Sequence, residues 1–545
     1  MASPAEGSSA VIHIGLDLGT THSAIAYQIY KPVGNPISGG RTPIHRGKKT
    51  PTVVLLDKNK DVIPSGWDYP AALLPPGCHR LEWFKLMMLH MDDLADFKNS
   101  GKLVVAESNV RRLGLRVVDV ISLYLGQLWG RFKSRVEAQL SGVSLEEQRV
   151  YLTVTTPVNW PSDAIGRMKQ AMRDAGIRHE PMILTEPEAA SLAVLPDVFN
   201  EVSAKDGDAF IICDCGGATV DSVAFQAAKS SKFSLSQCIP NDCIFAGATL
   251  LDSAFTSLLL TKLRAQSLVS ISPTQSQALD KVTNQWWEET VKIDFCHGYQ
   301  PPPFVIRDLS GAQPQVFEVA ISGQEIAIIF DLIVGRILKL VDSQIRAVKA
   351  ATGELPKAVI LVGGFGRNNY LRAQVHGSVE QEHGGAVKTI SYGNDVGWYS
   401  VAEGGAKHAM VASQSQNLPL DVIVDKRLSR ARYGIRHTNG DWNWFVEVGT
   451  RLSAQQPDLF EVPRQAFKSV NATSTPTLIL EIYTQPDANA FIQRACLLRW
   501  FTLPGSQYRG PLQLGLTHDG LEPRFAFYVD GQLQDPTRAS FQYAP

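Results

Sequence analysis

Residues Asp214-Cys-Gly-Gly-Ala-Thr-Val-Asp221 decide how this chain is read. They follow Ala209-Phe-Ile-Ile-Cys213, an apolar run of the kind that forms a buried strand. An acid at the end of such a strand can face a metal ion. Gly216 and Gly217 let the backbone approach a phosphate and offer it N–H groups, and Thr219 adds a hydroxyl. One such turn is a weak signal, because a tight strand-to-helix connection can look the same.

The pattern has an echo near the N-terminus, in Val11-Ile-His-Ile-Gly-Leu-Asp17-Leu-Gly19-Thr20-Thr21-His22-Ser23. Strand, acid, glycine and hydroxyl thus occur twice, about two hundred residues apart. A repeated phosphate turn suggests two related halves facing each other across a nucleotide. A third turn, Gly363-Gly364-Phe-Gly366-Arg367, follows the apolar run Ala358-Val-Ile-Leu-Val362. Three turns of this kind in one chain, each after an apolar strand, make a coincidence of tight connections a poor explanation.

The three turns resemble the phosphate-1, phosphate-2 and adenosine motifs of the actin-like ATPase superfamily. Within it the chain is most similar to a divergent, short, lidless branch of the seventy-kilodalton heat-shock chaperones (DnaK-like). Thr153-Val-Thr-Thr-Pro157-Val-Asn-Trp160, with Ile165, Met168, Met172 and Ala175 spaced as one helix face after it, resembles that family's strand–proline–helix. Leu184-Thr-Glu186-Pro187-Glu188 resembles its Glu-Pro connection. The resemblance covers roughly residues 10 to 410, and the remainder more weakly. It implies an α/β fold: lobe I of a two-lobed actin-like ATPase fold over 11–205, lobe II over 206–412, and a small all-β, sandwich-like substrate-binding domain over 413–545, while the small residues of 1–10 read as a disordered tail.

The resemblance also implies a site for ATP or ADP with Mg²⁺. Asp17 and Asp214 would hold the metal through its waters. Gly19, Thr20, Thr21 and His22 on one turn, and Gly216, Gly217 and Ala218 on the other, would cradle the phosphates, with Thr219 adding a donor and Asp221 orienting water. Lys85 matches the family's catalytic lysine, Glu186 its water-positioning carboxylate, and Pro157 a switching proline. A surface lysine beside an aromatic and a helix N-terminal acid are the plain alternatives for Lys85 and Glu186. Gly247 belongs to a phosphate segment. Glu289 and Lys292, three apart on a helix-like stretch, resemble a ribose and adenine pair, and an ordinary helix-surface ion pair would look the same. Gly363 and Gly364 would admit the nucleoside, and Arg367 would stack on adenine.

Four departures stand out. Ala218 replaces a third glycine, and its methyl group would disfavour positive φ there. Ile293 stands where an arginine is usual, and Ala246-Gly247-Ala248-Thr249 is a reduced form of Gly-Gly-Glu-Asp. The segment Asp395 to Gly405 does not align cleanly. These favour nucleotide binding over fast hydrolysis.

Composition is that of an ordinary soluble globular protein: 44% hydrophobic and 19% charged residues in 545. A net charge of −1 leaves no footprint for a polyanion, so nucleic acid is not an expected partner. No run has the length of a membrane span, and the N-terminus lacks the features of a signal peptide. Seven scattered cysteines argue against a disulfide framework and for a cytoplasmic location. Asn471-Ala-Thr473 matches a glycosylation acceptor, which has no meaning without a secretory route.

Along the chain, strands and helices alternate to about Ala412. Long helical patterns cover about Val110 to Gln139 and Leu250 to Arg264, and a Ser/Gln-rich loop is expected at 267–277. Ser322-Gly-Gln-Glu325 has the form of a capping box opening a long helix. Beyond Ala412 short alternating runs take over: Arg432–Arg436, Trp442–Glu447 and Thr477–Tyr483, with turns at Asn439-Gly440 and Asp530-Gly531. Phe501-Thr-Leu-Pro-Gly and Arg509-Gly-Pro-Leu are similar to the chaperones' late strands. Asp421-Val-Ile-Val-Asp425 reads equally as an interdomain linker or a first strand. The leading expectation is a slow ATPase that couples lobe closure to binding of an unfolded polypeptide or specific client. A nucleotide sensor or scaffold and a sugar or metabolite kinase are the alternatives.

Overall fold

The computed structural model describes residues 10–30, 43–64, 66–68, 77–90, 94, 101–158, 160–229, 233–265, 282–308, 315–413, 422–437, 439–463, 466–470, 477–485, 496–504, 512–518, 524–529 and 532–534. The tail at 1–9, the loop at 267–277, Asn471-Ala-Thr473, the stretch 509–511 and the Asp530-Gly531 turn lie outside the described residues. The chain is mixed α/β and divides into two compact units. The first comprises Met1–Ala204, Ala209–Val223 and Asn241–Leu420; the second comprises Lys205–Asp208, Ala224–Pro240 and Asp421–Pro545.

In the first unit, β1 (Val11–Asp17) is buried along its whole length, as a continuous apolar run demands of a central strand. It pairs antiparallel with β2 (His22–Tyr30), which pairs with two short strands, β3 (His45–Arg46) and, nearer its start, β4 (Thr50–Pro51). A small antiparallel pair, β5 (Val54–Leu56) and β6 (His79–Leu81), follows. Then β7 (Arg149–Thr156) joins β1 in parallel and β8 (Met182–Thr185) joins β7 in parallel. The order is β3-β2-β1-β7-β8.

The plan then repeats. β9 (Ala209–Cys215) is buried throughout and neighbours β10 (Val220–Lys229). β10 runs from the first unit into the second. It pairs antiparallel with β11 (Phe233–Gln237) along its second half and with β12 (Asp242–Ile244) at its start. After a hairpin of β13 (Phe304–Asp308) and β14 (Gln315–Val319), β15 (Ala358–Val362) lies parallel to β9, and β16 (Lys388–Ser391) parallel to β15. Numbering each half from its own first strand, with β12 as the third of the second half, gives 3-2-1-4-5 twice, with strands 1 and 4 and strands 4 and 5 parallel and strands 2 and 3 antiparallel in both.

The helices follow local signals. The Ser322 capping box is formed in both directions, and helix Gly323–Thr352 buries Ile326, Phe330, Ile333, Ile337 and Leu340. The pattern over Val110 to Gln139 is two helices rather than one, Gly101–Arg112 and Val117–Gln139. Gly114 adopts φ +70° between them, and the Asp119 carboxylate accepts from the Arg116 N–H (2.8 Å) to restart the second. The segment that did not align, Asp395 to Gly405, opens helix Asp395–Ala412. That helix crosses β1 and helix Glu186–Glu201 on small residues: a Cβ on Gly404 would overlap the Ala189 carbonyl. Ala402 and Ala406 also pack on Ala24 and Ala26 of β2.

The second unit is β-rich. β17 (Val422–Leu428) pairs parallel with β11, so the 421–425 segment is a strand from Val422 onward. The next strands are β18 (Arg432–Arg436), β19 (Trp442–Val446), β20 (Arg451–Ser453), β21 (Asp458–Glu461), β22 (Phe467–Val470), β23 (Thr477–Gln485), β24 (Cys496–Pro504), β25 (Leu512–Thr517), β26 (Arg524–Val529) and β27 (Gln532–Gln534). β19-β18-β23-β22 form one antiparallel sheet, with β24 on β23, and β21-β25-β26-β27 form another. Alternate residues point into a common core: Tyr433 and Ile435, Leu480 and Ile482, Leu512, Leu514 and Leu516, Phe525 and Phe527. No described helix is long and apolar enough to cross a membrane.

Candidate functional site

The C-terminal ends of β1, β9 and β15 meet at a cleft of about 520 Å³ within the first unit. Its lining is Asp17, Gly19, Thr20, Thr21, His22, Lys49, Lys85, Glu186, Asp214, Gly216, Gly217, Ala218, Thr219, Gly363, Gly364, Trp398 and Val401. The two acid–glycine turns therefore face one another. A Cβ placed on Gly217 would lie 2.9 Å from both Cγ2 and Oγ1 of Thr21. The third turn closes on the second: Gly363 has φ +83°, and a Cβ there would run into the Asp214 carboxylate.

The second turn is held from behind. Its carbonyls accept N–H groups from Gly247 (to Ala218, 3.0 Å), Ala248 (to Gly216, 3.2 Å) and Thr249 (to Gly217, 2.8 Å). Gly247 thus backs the turn and is not part of the cleft lining. Ala218 is absent from the described non-glycine residues with positive φ, so its methyl group does not oppose the turn. That methyl packs in an apolar cluster with Trp83, Leu86, Leu94, Leu103 and Ala106. The concern raised by the missing third glycine is answered there.

Charge in the cleft is dense. Lys85 Nζ donates to Glu186 Oε1 at 2.6 Å, with both side chains buried. Trp83 precedes it at φ +62°, a conformation costly for a bulky residue. Glu186 opens helix Glu186–Glu201 behind the Thr185 N-cap. Lys49 Nζ donates to Asp17 Oδ2 at 3.0 Å. Asp221 Oδ1 accepts from the Val158 N–H at 2.7 Å. Burial pushes Glu186 up to about 7, against the pull of Lys85 and with help from Asp221 and Asp17. Burial, then Glu186, Asp221 and Asp17, raise Asp214 well above the ordinary carboxylate range. Burial raises Asp221 as well. His22 is lowered to about 4 by burial, then by Lys49 and Lys292, and stays neutral. Four carboxyl groups thus share this region with two ammonium groups, and the raised carboxyls lack the counter-charge that a divalent cation would supply. Among the described residues, no group of three or more His, Cys, Asp or Glu is arranged as a direct metal centre.

An adjoining pocket of about 370 Å³ is lined by Leu86, Leu89, Pro157, Trp160, Cys243 and Phe245, with Thr20, Lys85 and Thr219 shared with the cleft. Of the residues expected at the adenosine end, Gly363 and Gly364 line the cleft, whereas Glu289, Lys292 and Arg367 do not. Lys292 donates to Asp252 Oδ1 (2.7 Å) and to Glu288, while Glu289 and Ile293 are exposed. The pair on Lys292 is therefore one residue earlier than expected. Trp287 Nε1 also donates to Asp252 Oδ1, at 2.8 Å. Arg367 stacks on the Trp398 ring at 4.7 Å and lies 3.5 Å from Asp395. Lys49 and Trp398 escaped sequence reading, since neither sits in a glycine turn; only the Lys48-Lys49 doublet before Thr50-Pro51 hinted at a cation there. No family model matches the chain, and no curated protein sequence matches it.

Proposed function

We propose that the first unit is a two-lobed, actin-like ATPase fold that binds ATP with Mg²⁺ and hydrolyses it slowly to ADP and phosphate. The observation that carries this reading is the opposition of the two turns, with Gly217 against Thr21 and both strand-end acids in one cleft. The doubled 3-2-1-4-5 strand order supports it, because each turn lies between strands 1 and 2 of its own half.

Asp17 and Asp214 would hold the metal through its waters; when bound, magnesium neutralises phosphate charge. Backbone N–H groups of Gly19 to His22 and of Gly216 to Ala218 would bind phosphate oxygens, with Thr20, Thr21 and Thr219 adding hydroxyls. Lys85 and Glu186 sit as an ion pair beside that position. Lys85 would stabilise developing charge, and Glu186, with Asp221 behind it, would orient the attacking water. The β-rich second unit would bind an extended polypeptide, and nucleotide in the cleft would change its affinity. This assigns the protein a chaperone-like role in the cytoplasm.

Calorimetry of Mg-ATP binding followed by phosphate release on the same sample tests the first part. Binding with slow release supports it. Binding without release above a Lys85→Ala control favours the sensor reading. Peptide affinity that is unchanged by saturating ATP removes the coupling.

A further inference from the structure

Lys49 has a position that the nucleotide reading leaves unexplained. It reaches the cleft from the segment between β3 and β4, and its side chain is buried. Its ammonium donates to Asp17 Oδ2 at 3.0 Å and lies 5.8 Å from the centre of the Trp398 ring. Its backbone N–H donates to the Tyr399 hydroxyl at 3.0 Å, which ties this segment to helix Asp395–Ala412. A buried ion pair is weak support for stability, because desolvation offsets the attraction. A lysine in a phosphate cleft is better explained by what it can bind there. It has three donors, and Asp17 accounts for one.

We propose that Lys49 is a direct phosphate ligand for the nucleotide, supplying at the Asp17 side enough positive charge for ATP to bind without a divalent metal. This rests on the nucleotide reading above. The cleft then holds two cations facing the triphosphate, Lys49 from the first turn's side and Lys85 opposite Glu186. Lys49 also screens Asp17, which would otherwise repel phosphate in the absence of metal.

The test is ATP binding by calorimetry in magnesium and in EDTA, on the full chain. Wild type should still bind in EDTA, within about 100-fold of its affinity in magnesium. Lys49→Thr should lose about tenfold or more in EDTA, the worth of one charge-assisted hydrogen bond, and about threefold or less in magnesium. Lys49→Arg should behave as wild type. If Lys49→Thr does not melt cooperatively, Lys49→Gln, which keeps a donor for Asp17, replaces it with the same expectation. Equal ratios of the two affinities in wild type and variant overturn the proposal. So does wild type that binds only in magnesium, which leaves the nucleotide reading standing. No binding in either buffer overturns both.

Discussion

Lys85 Nζ and Glu186 Oε1 lie 2.6 Å apart, and neither side chain is open to solvent. Their elements are distant in sequence: one precedes a short 3₁₀ turn, Leu86–Met88, and the other opens helix Glu186–Glu201. Removing the lysine leaves a buried carboxylate that takes up a proton instead of holding water. Lys85→Ala should therefore lower phosphate release by about 100-fold or more while changing ATP affinity by less than about tenfold. Single-turnover phosphate release beside calorimetry checks this. Unchanged release would remove Lys85 from the chemistry.

Ala218 is a packing residue as well as a turn residue. Its methyl group fills the cluster around Trp83 and Leu86, and its φ is not positive. Ala218→Gly should cost about 1–2 kcal/mol of stability, from lost burial and a freer unfolded chain, and should not speed hydrolysis. Urea unfolding and steady-state phosphate release measure the two effects. A faster enzyme would mean that the alanine does restrain the turn.

Two helical glycines should respond in opposite senses. Gly404 has no room for a Cβ beside the Ala189 carbonyl, whereas Gly335, in helix Gly323–Thr352, has nothing within 4 Å of that position. Gly404→Ala should destabilise by about 2 kcal/mol or more, and Gly335→Ala should stabilise by up to about 1 kcal/mol. Urea midpoints for the two variants give the comparison.

His13 sets an acid limit on stability. It is buried on β1, bonded through Nε2 to Ser413 Oγ at 3.0 Å and stacked with Tyr151, and burial lowers it from 6.5 to about 4. Between those values the unfolded chain binds more protons than the folded one, so stability falls as pH drops from 6.5 towards 4. His13→Phe should flatten that part of the stability-against-pH curve by up to about 3 kcal/mol. Melting curves across the window, with the same slope for both proteins, would contradict this.

Much of the fold was legible because it rests on local signals. Continuous apolar runs marked the central strands at Val11, Ala209 and Ala358, and Ser322 with Glu325 marked the long helix. Period-2 alternation found β18, β19 and β23. The acid–glycine turns placed most of the cleft. What escaped depends on distant partners. Helix Asp395–Ala412 is set by small residues that fit against Gly15 and Ala189, which no local pattern announces. Lys49 becomes a cleft residue only because β4 pairs with the start of β2. The partner of Lys292 is Glu288 rather than Glu289 because Val282–Val291 is a π-helix, whose wider turn shifts the register that α-helical spacing assumes.

The central claim is that two opposed turns close on a magnesium triphosphate. Titrating Mg-ATP into the full chain by calorimetry, beside Asp214→Asn, tests it most directly. One saturable site in wild type, weakened by about tenfold or more in the variant through loss of a charged acceptor for the metal's waters, is the predicted result. No saturable heat in wild type, or equal affinity in both proteins, would contradict it.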